Sequence, residues 1–463
     1  MKVRFSSIII GVLLMVNMLL TGLSGQYQLI PVGLSIAIGC YIFVNSTKKL
    51  RSSGDIFQPL MICNVFLMLF FVLRPIWLLV NIDELHSYSN FRYYEMTACA
   101  KEYFAYPVAK AEFIGILGMY FINVGYFSNF RLQKLPPFKS TEAVPVRRGG
   151  SRATKLTCWF LFGAAAFFWL LYIYRGFIQG GTISMIYVIW VYILTVSIPI
   201  YIAHKGRINF AVMAILAISI VSLVALGNRQ LIISLLLCVV VTQIQLNTNV
   251  KKHFMKTLLL LCLIGVGMAA VVVWFASVRY NYDLTLNRGI EAIFGEFGMY
   301  DMLVVSLDAE LKGMVPRYYG FYYLTFFSFF IPTINIPPFD HQLVQDVFGG
   351  LLGGGIPVSV VGSLYINFGY VGLIVLSFVL GRIFSSVYCN NRSKGTLLGD
   401  IQNIVLLTFV YDLTRVGDFG REAINYGIMY LCLRIAFIFI TREQDQWMFS
   451  RIHGGHGPDG QNL

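Results

Sequence analysis

The chain has 463 residues, 57% of them hydrophobic and 12% charged, and a mean hydropathy of +0.71. A soluble core cannot absorb that many apolar side chains, which excludes a globular cytosolic protein and points to an integral membrane protein. The +13 net charge needs no nucleic acid, because basic loops held at the inner membrane face account for much of it.

Apolar runs long enough to cross about 30 Å of hydrocarbon recur along the whole chain. Spans are expected at 6–24, 29–45, 57–81, 111–130, 156–174, 183–203, 208–226, 230–247, 257–278, 358–384, 399–414 and 423–441. That makes one all-α polytopic membrane domain over 1–463, with about 12 transmembrane helices. MKVRF and its apolar run imitate a signal peptide, but the next run follows almost at once, so an uncleaved first span is expected. Lys48, Lys49 and Arg51 mark one inside loop, and the Pro-rich stretch from Arg131 to Lys155 marks another. Lys205 with Arg207, Lys251 with Lys252 and Lys256, and Arg392 with Lys394 mark three more, which puts both termini inside. Residues 443–463 read as a flexible cytoplasmic tail. Of the eight cysteines, only Cys99 falls in an outside loop, so neither a disulfide nor a zinc site is expected.

The longest stretch that is neither span nor basic tether is 279–357, a large outside loop expected to close an active site. Within it, 318–338 is uncharged and crowded with aromatics, and its closing prolines suit an interfacial or re-entrant segment better than a span. Glycines at 349, 350 and 353–355 let the loop turn tightly or move, and no G-K-[ST] follows to make a P-loop.

The outside cations from residue 175 onward are Arg175, Arg229, Arg279, Arg288, Lys312, Arg317, Arg415 and Arg421. Guanidinium presents a rigid fork of donors that matches phosphate oxygens, so this arginine bias points to an anionic ligand, a phosphate or diphosphate. Each arginine alone has a second reading, as the partner of a nearby acid or as a snorkelling side chain. Arg229 in LGNRQ stands at the N-terminus of a span, where its charge adds to the helix dipole, and Arg279 stands where WFASVRY emerges. Arg415 and Arg421 flank the hairpin TRVGDFGRE, which also reads as a self-paired turn with Asp418 and Glu422. His341, Glu296 and Asp340 are rival bases for taking a proton from a sugar hydroxyl, although a lone loop histidine is as well explained by solvation. With no D-x-D pair, no metal and no other cofactor is expected.

G-N-R-Q opening a span, S-V-R-Y closing one, a large loop reaching IPTINIPP, then GGGIPVSVVGSLYINFGYVGLIVLSFVLG and TRVGDFGRE together resemble the Wzy-type O-antigen polymerases. The resemblance implies a lipid-donor glycosyltransferase of GT-C-like architecture in the bacterial inner membrane, working on the periplasmic face. Its substrates would be undecaprenyl-diphosphate-linked oligosaccharides, one as donor and one as acceptor. A chain-length-regulating co-polymerase and membrane lipids are the implied partners. The positions that match the family's important arginines are Arg229, Arg279 and Arg421. His341-Gln342 followed by Gly353 approximates the loop histidine motif of the related O-antigen ligases, with the spacing shifted by about a residue. Two alternatives stay open: such a ligase, and a lipid-linked oligosaccharide flippase. A flippase would want charges through the middles of several spans.

Overall fold

The computed structural model describes residues 5–23, 29–52, 57–80, 105–129, 132, 152–174, 188–205, 210–225, 229–246, 299–331, 333–349, 355, 357–393 and 396–453. Among these residues the protein is helical with no strand. In chain order the helices are α1 (Phe5–Leu23), α2 (Leu29–Ser52), α3 (Pro59–Met68), α4 (Arg74–Val80), α5 (Ala105–Phe127), α6 (Arg152–Ile173), α7 (Ile189–Lys205), α8 (Phe210–Ala225) and α9 (Arg229–Leu246). Then come α10 (Met299–Leu311), α11 (Thr325–Phe330), α12 (Phe339–Phe348), α13 (Ser359–Ser393), α14 (Leu397–Val416) and α15 (Phe419–His453).

Most of these helices are apolar around their whole circumference, as expected where one side meets protein and the other lipid. Among the described residues seven stretches are long and apolar enough to cross a membrane: Ile30–Arg51, Pro59–Trp77, Pro107–Phe127, Thr154–Ile173, Ser359–Ser393, Leu397–Val416 and Phe419–Ile440. Shorter apolar helices at Ile9–Thr21, Ile189–Lys205, Phe210–Ala225 and Gln230–Gln243 coincide with four further expected spans. The expected span at 257–278 lies outside the described residues. The protein is therefore an all-α membrane protein. Segment 318–338 does not form a span: it makes a 3-10 turn at Phe321–Leu324, the six-residue α11, and then irregular chain.

The chain packs as two compact units. The first comprises Met1–Phe138, Leu258–Ser393 and Phe409–Ile424, and the second Lys139–Thr257, Lys394–Thr408 and Asn425–Leu463. In the second unit, Trp169 of α6 donates to Ser222 of α8 at 2.9 Å, and Cys238 of α9 donates to the Thr195 carbonyl of α7 at 3.3 Å.

The first unit is built around the crossing of α5 and α13. A Cβ on Gly125 would lie 2.0 Å from the Phe378 carbonyl oxygen, and one on Gly381 would lie 2.0 Å from that of Ile122. Small residues let the two backbones approach, which is how helices associate where lipid removes the hydrophobic drive. Asn64 of α3 and Asn123 of α5 exchange amide hydrogen bonds of 3.1 and 2.8 Å, and Asn64 also donates to Ser46 of α2 at 3.0 Å. Between α3 and α4 the helix widens into a π-turn, Leu69–Leu73. Pro75 explains it: the ring cannot donate and clashes with the preceding turn, so the ladder shifts by one residue. The shift leaves Arg74 fully buried, where Nε and Nη2 reach Asp301 of α10 at 3.0 and 2.6 Å.

α13 is broken at Gly369, whose φ of 66° and ψ of −162° only glycine adopts readily. The break strands the carbonyls of the preceding turn, and a buried carbonyl must find a donor. Arg317 supplies it, reaching the Tyr365 and Ile366 oxygens at 2.5 and 3.2 Å from one nitrogen while the other contacts Glu310. Its guanidinium lies 4.6 Å from the centre of the Tyr365 ring, and the Lys110 ammonium lies 5.1 Å from it.

Candidate functional site

The site lies in the first unit, where α12 and α15 begin. Pro337 and Pro338 cannot continue a helix from upstream, but Pro338 sits at the N-cap and α12 starts directly after it. α12 buries Phe339, Asp340, Leu343 and Val347 and leaves His341 and Gln345 exposed, before Gly349 ends it at φ 63°. α14 ends at Gly417, φ 74°, whose amide bonds the Leu413 carbonyl at 2.9 Å. No other residue fits there, since a Cβ would lie 2.4 Å from the Ser359 carbonyl oxygen.

Asp418 follows and caps two helices with one carboxylate. Its Oδ1 accepts the Arg421 amide at 3.1 Å, and its Oδ2 accepts the Phe339 amide at 3.0 Å. These are N-terminal amides of α15 and α12, each lacking a partner within its own helix. The cap brings Arg421 and Asp340 face to face: Arg421 Nη1 lies 2.9 Å from Asp340 Oδ2. Asp340 Oδ1 accepts the His341 amide at 3.0 Å. Gly355 crosses so close that a Cβ would lie 2.2 Å from Asp340 Oδ2. Arg421 Nε is also 3.5 Å from Glu422 Oε1.

The electrostatics are crowded. The side chains of Asp340 and Glu422 are 5% and 1% exposed, and Asp418 is fully buried, whereas Arg421 is 23% exposed. The guanidinium is thus the part of the Arg421–Asp340 pair that faces outward. Burial pushes the Asp418 carboxyl above the usual carboxylate range, and the charge of Asp340 pushes it further, against the pull of Arg421.

Tyr323 packs beneath the pair, with its ring centre 5.0 Å from that of Phe419 and 6.0 Å from that of Phe339. Its hydroxyl is shared with Ser363 at 2.6 Å and accepts from Asn367 at 3.1 Å. Alongside α12, Tyr318 donates to Asp346 at 2.5 Å and Gln342 donates to the same carboxylate at 2.9 Å. Burial first, then the Asp346 carboxylate, push the Tyr318 phenol above its ordinary range. Among the described residues no three of His, Cys, Asp and Glu group closely enough to hold a metal ion.

Of the residues singled out from the sequence, Asp340 and Arg421 come together here, whereas His341 contributes its backbone amide and leaves its side chain exposed. Arg415 lies one turn before the cap, in the last turn of α14. Arg317 lies at the α13 break, with donors engaged by carbonyls and Glu310. Arg229 is the first residue of α9, but its side chain is outside the described set. Arg175, Arg279, Arg288 and Glu296 also lie outside the described residues. Sequence reasoning did not single out the Asp418 double cap or Tyr323. A signal for the first was present in V-G-D-F-G-R-E, where glycine ends one helix and aspartate stands three residues before Arg421 as an N-cap. No family model, no curated protein and no solved structure matches this chain.

Proposed function

We propose that the protein is a membrane glycosyltransferase that polymerises undecaprenyl-diphosphate-linked oligosaccharide repeat units, with about 12 spans in a GT-C-like arrangement. It works at the periplasmic face of the bacterial inner membrane, with Arg421 and Asp340 at its centre. The observation that supports this most is the Arg421–Asp340 pair: a partly exposed guanidinium against a buried carboxylate, held by a shared cap where spans end.

In this reading the donor diphosphate draws Arg421 from Asp340 and takes its bidentate fork. Asp340, released, accepts the proton of the acceptor sugar hydroxyl. The hydroxyl oxygen bonds to the donor's anomeric carbon, the bond from that carbon to the diphosphate oxygen breaks, and undecaprenyl diphosphate leaves with the electron pair. Arg421 stabilises the charge that gathers on it, and Arg229, Arg279, Arg288, Arg415 and Arg175 are the further candidates for that role. Holding two lipid-borne substrates side by side supplies much of the remaining rate.

The experiment is reconstitution of the purified chain in nanodiscs with a lipid-diphosphate-linked repeat unit, with and without EDTA. A ladder of lengthening products in both supports a polymerase that needs no metal, and a ladder lost with EDTA corrects the cofactor expectation alone. Single transfer to a lipid A-core acceptor would make it a ligase. No product, with labelled lipid crossing a liposome bilayer, would replace the reading with a flippase.

A further inference from the structure

Between Arg317 and Asp340 the chain carries no charged residue. It is too broken to span, so its apolar side chains need another home. Tyr319 is 76% exposed, Phe330 69% and Phe321 54%, with Leu324, Phe327 and Ile331 also open. This exposure is built, because Tyr319 and Gly320 both have positive φ, 51° and 77°. A tyrosine in that region is strained, and the buried Asn367 holds it there. The Asn367 backbone oxygen accepts the Tyr319 amide at 3.1 Å, and its Oδ1 accepts the Gly320 amide at 3.0 Å.

The exposed face continues a lipid-facing one. Before the Gly369 break, Ser359–Asn367 of α13 is buried on all sides. After it, Val371, Val375, Val379 and Ile383 form an exposed stripe at four-residue spacing, as a span shows to lipid. The aromatic segment meets α13 at Phe368, where a Cβ on Gly320 would lie 2.6 Å from the ring, one turn before the stripe begins. Lys110 and Arg317 stack on the buried Tyr365 ring and both pair with Glu310, a largely buried charged cluster that fixes the chain on the near side of the Gly369 break.

We propose that residues 319–331 are an interfacial wedge whose partner is the lipid surface itself. The segment lies at the headgroup–acyl boundary, aromatic side inward to the bilayer, as monotopic segments do. Tyr323, packed on Phe419 and Phe339, ties the wedge to the Arg421–Asp340 pair and holds that pair at headgroup depth. The proposal does not depend on the chemistry assigned to the pair.

The test places a photoactivatable phenylalanine at Phe321, Phe330, Val375 or Gln345 in the full chain. Each variant is reconstituted in nanodiscs of phosphatidylethanolamine and phosphatidylglycerol and irradiated. Mass spectrometry then reads the adducts. Val375 reports the lipid belt and Gln345, exposed on α12, reports water. Phospholipid adducts at positions 321 and 330, matching 375 and absent at 345, are expected. Water adducts at 321 and 330, or cross-links there to a second copy of the chain, would overturn the wedge.

Discussion

Arg421 and Asp340 stand 81 positions apart in sequence, yet Nη1 of one lies 2.9 Å from Oδ2 of the other. A pair with one buried partner costs desolvation, mostly on the Asp340 side, and alone is a weak source of stability. Its asymmetry suits a switch, with the carboxylate buried and the guanidinium partly open. Arg421→Lys keeps the charge but not the fork. It is therefore expected to lower the rate of chain elongation by about 100-fold or more, the scale of losing one oxyanion donor. Asp340→Asn should do likewise, and the double variant should be no worse than the poorer single one. Additive losses in a double-mutant cycle would show that the two residues act separately.

Asp418 holds the pair through backbone amides of two helices. Asp418→Ala removes both caps and is expected to cost about 1–3 kcal/mol, read as a lower unfolding midpoint in detergent. The same residue sets a pH dependence. Its carboxyl lies above the ordinary value in the folded protein, so the folded state holds the proton more tightly than the unfolded chain does. That contribution is fully present below the ordinary carboxyl value, about 3.9, and is lost as pH rises through the raised one. The unfolding midpoint should fall over that window in the wild type, and the fall should shrink in Asp418→Asn. An unchanged slope in the variant would assign the dependence to another group.

Much of the fold could be read from the sequence because span length and loop charge are properties of short stretches. α2, α3, α5, α6, α13, α14 and α15 lie where long apolar runs were expected. The break in α13 could not be read so easily: glycine is common in membrane helices, and the Arg317 donors that meet the carbonyls before Gly369 come from a distant segment. The candidate site was legible only as separate residues: arginine bias singled out Arg421 and Arg317 alike, and nothing in the sequence places the first beside Asp340 or the second on the α13 carbonyls. Nothing in local sequence says which of two arginines will meet a stranded carbonyl. Arg74 falls within the expected span 57–81, and it is buried against Asp301 through a pairing that no local pattern announces.

The α5–α13 crossing makes a contrast among glycines. Gly125→Ala and Gly381→Ala each push a methyl group onto a backbone carbonyl that cannot move aside. Each is expected to cost about 1–3 kcal/mol or to stop folding. Gly163 and Gly427 have nothing within 4 Å of a built Cβ. Alanine there should be neutral or stabilise by about 0.5–1 kcal/mol, through the lost entropy of a helical glycine. Thermal unfolding of the four variants in one detergent checks the difference.

Arg317→Ala leaves the Tyr365 and Ile366 carbonyls without the donor that Arg317 supplies and Glu310 without one cation. The expected loss is about 1–3 kcal/mol, with faster hydrogen exchange around the Gly369 break. Arg317→Lys should restore part of the stability only, since one ammonium cannot reproduce the fork. Full stability in Arg317→Ala would show that the break is held elsewhere.

The most direct measurement of the central claim is elongation by the purified chain in nanodiscs, with a lipid-diphosphate-linked repeat unit as sole substrate. Wild type is compared with Arg421→Ala and Asp340→Asn, all shown to fold by a cooperative unfolding transition. A product ladder in the wild type that both variants lose places glycosyl transfer at this pair. A wild-type ladder that both variants retain would remove the pair from the chemistry, and no wild-type ladder at all would contradict the polymerase.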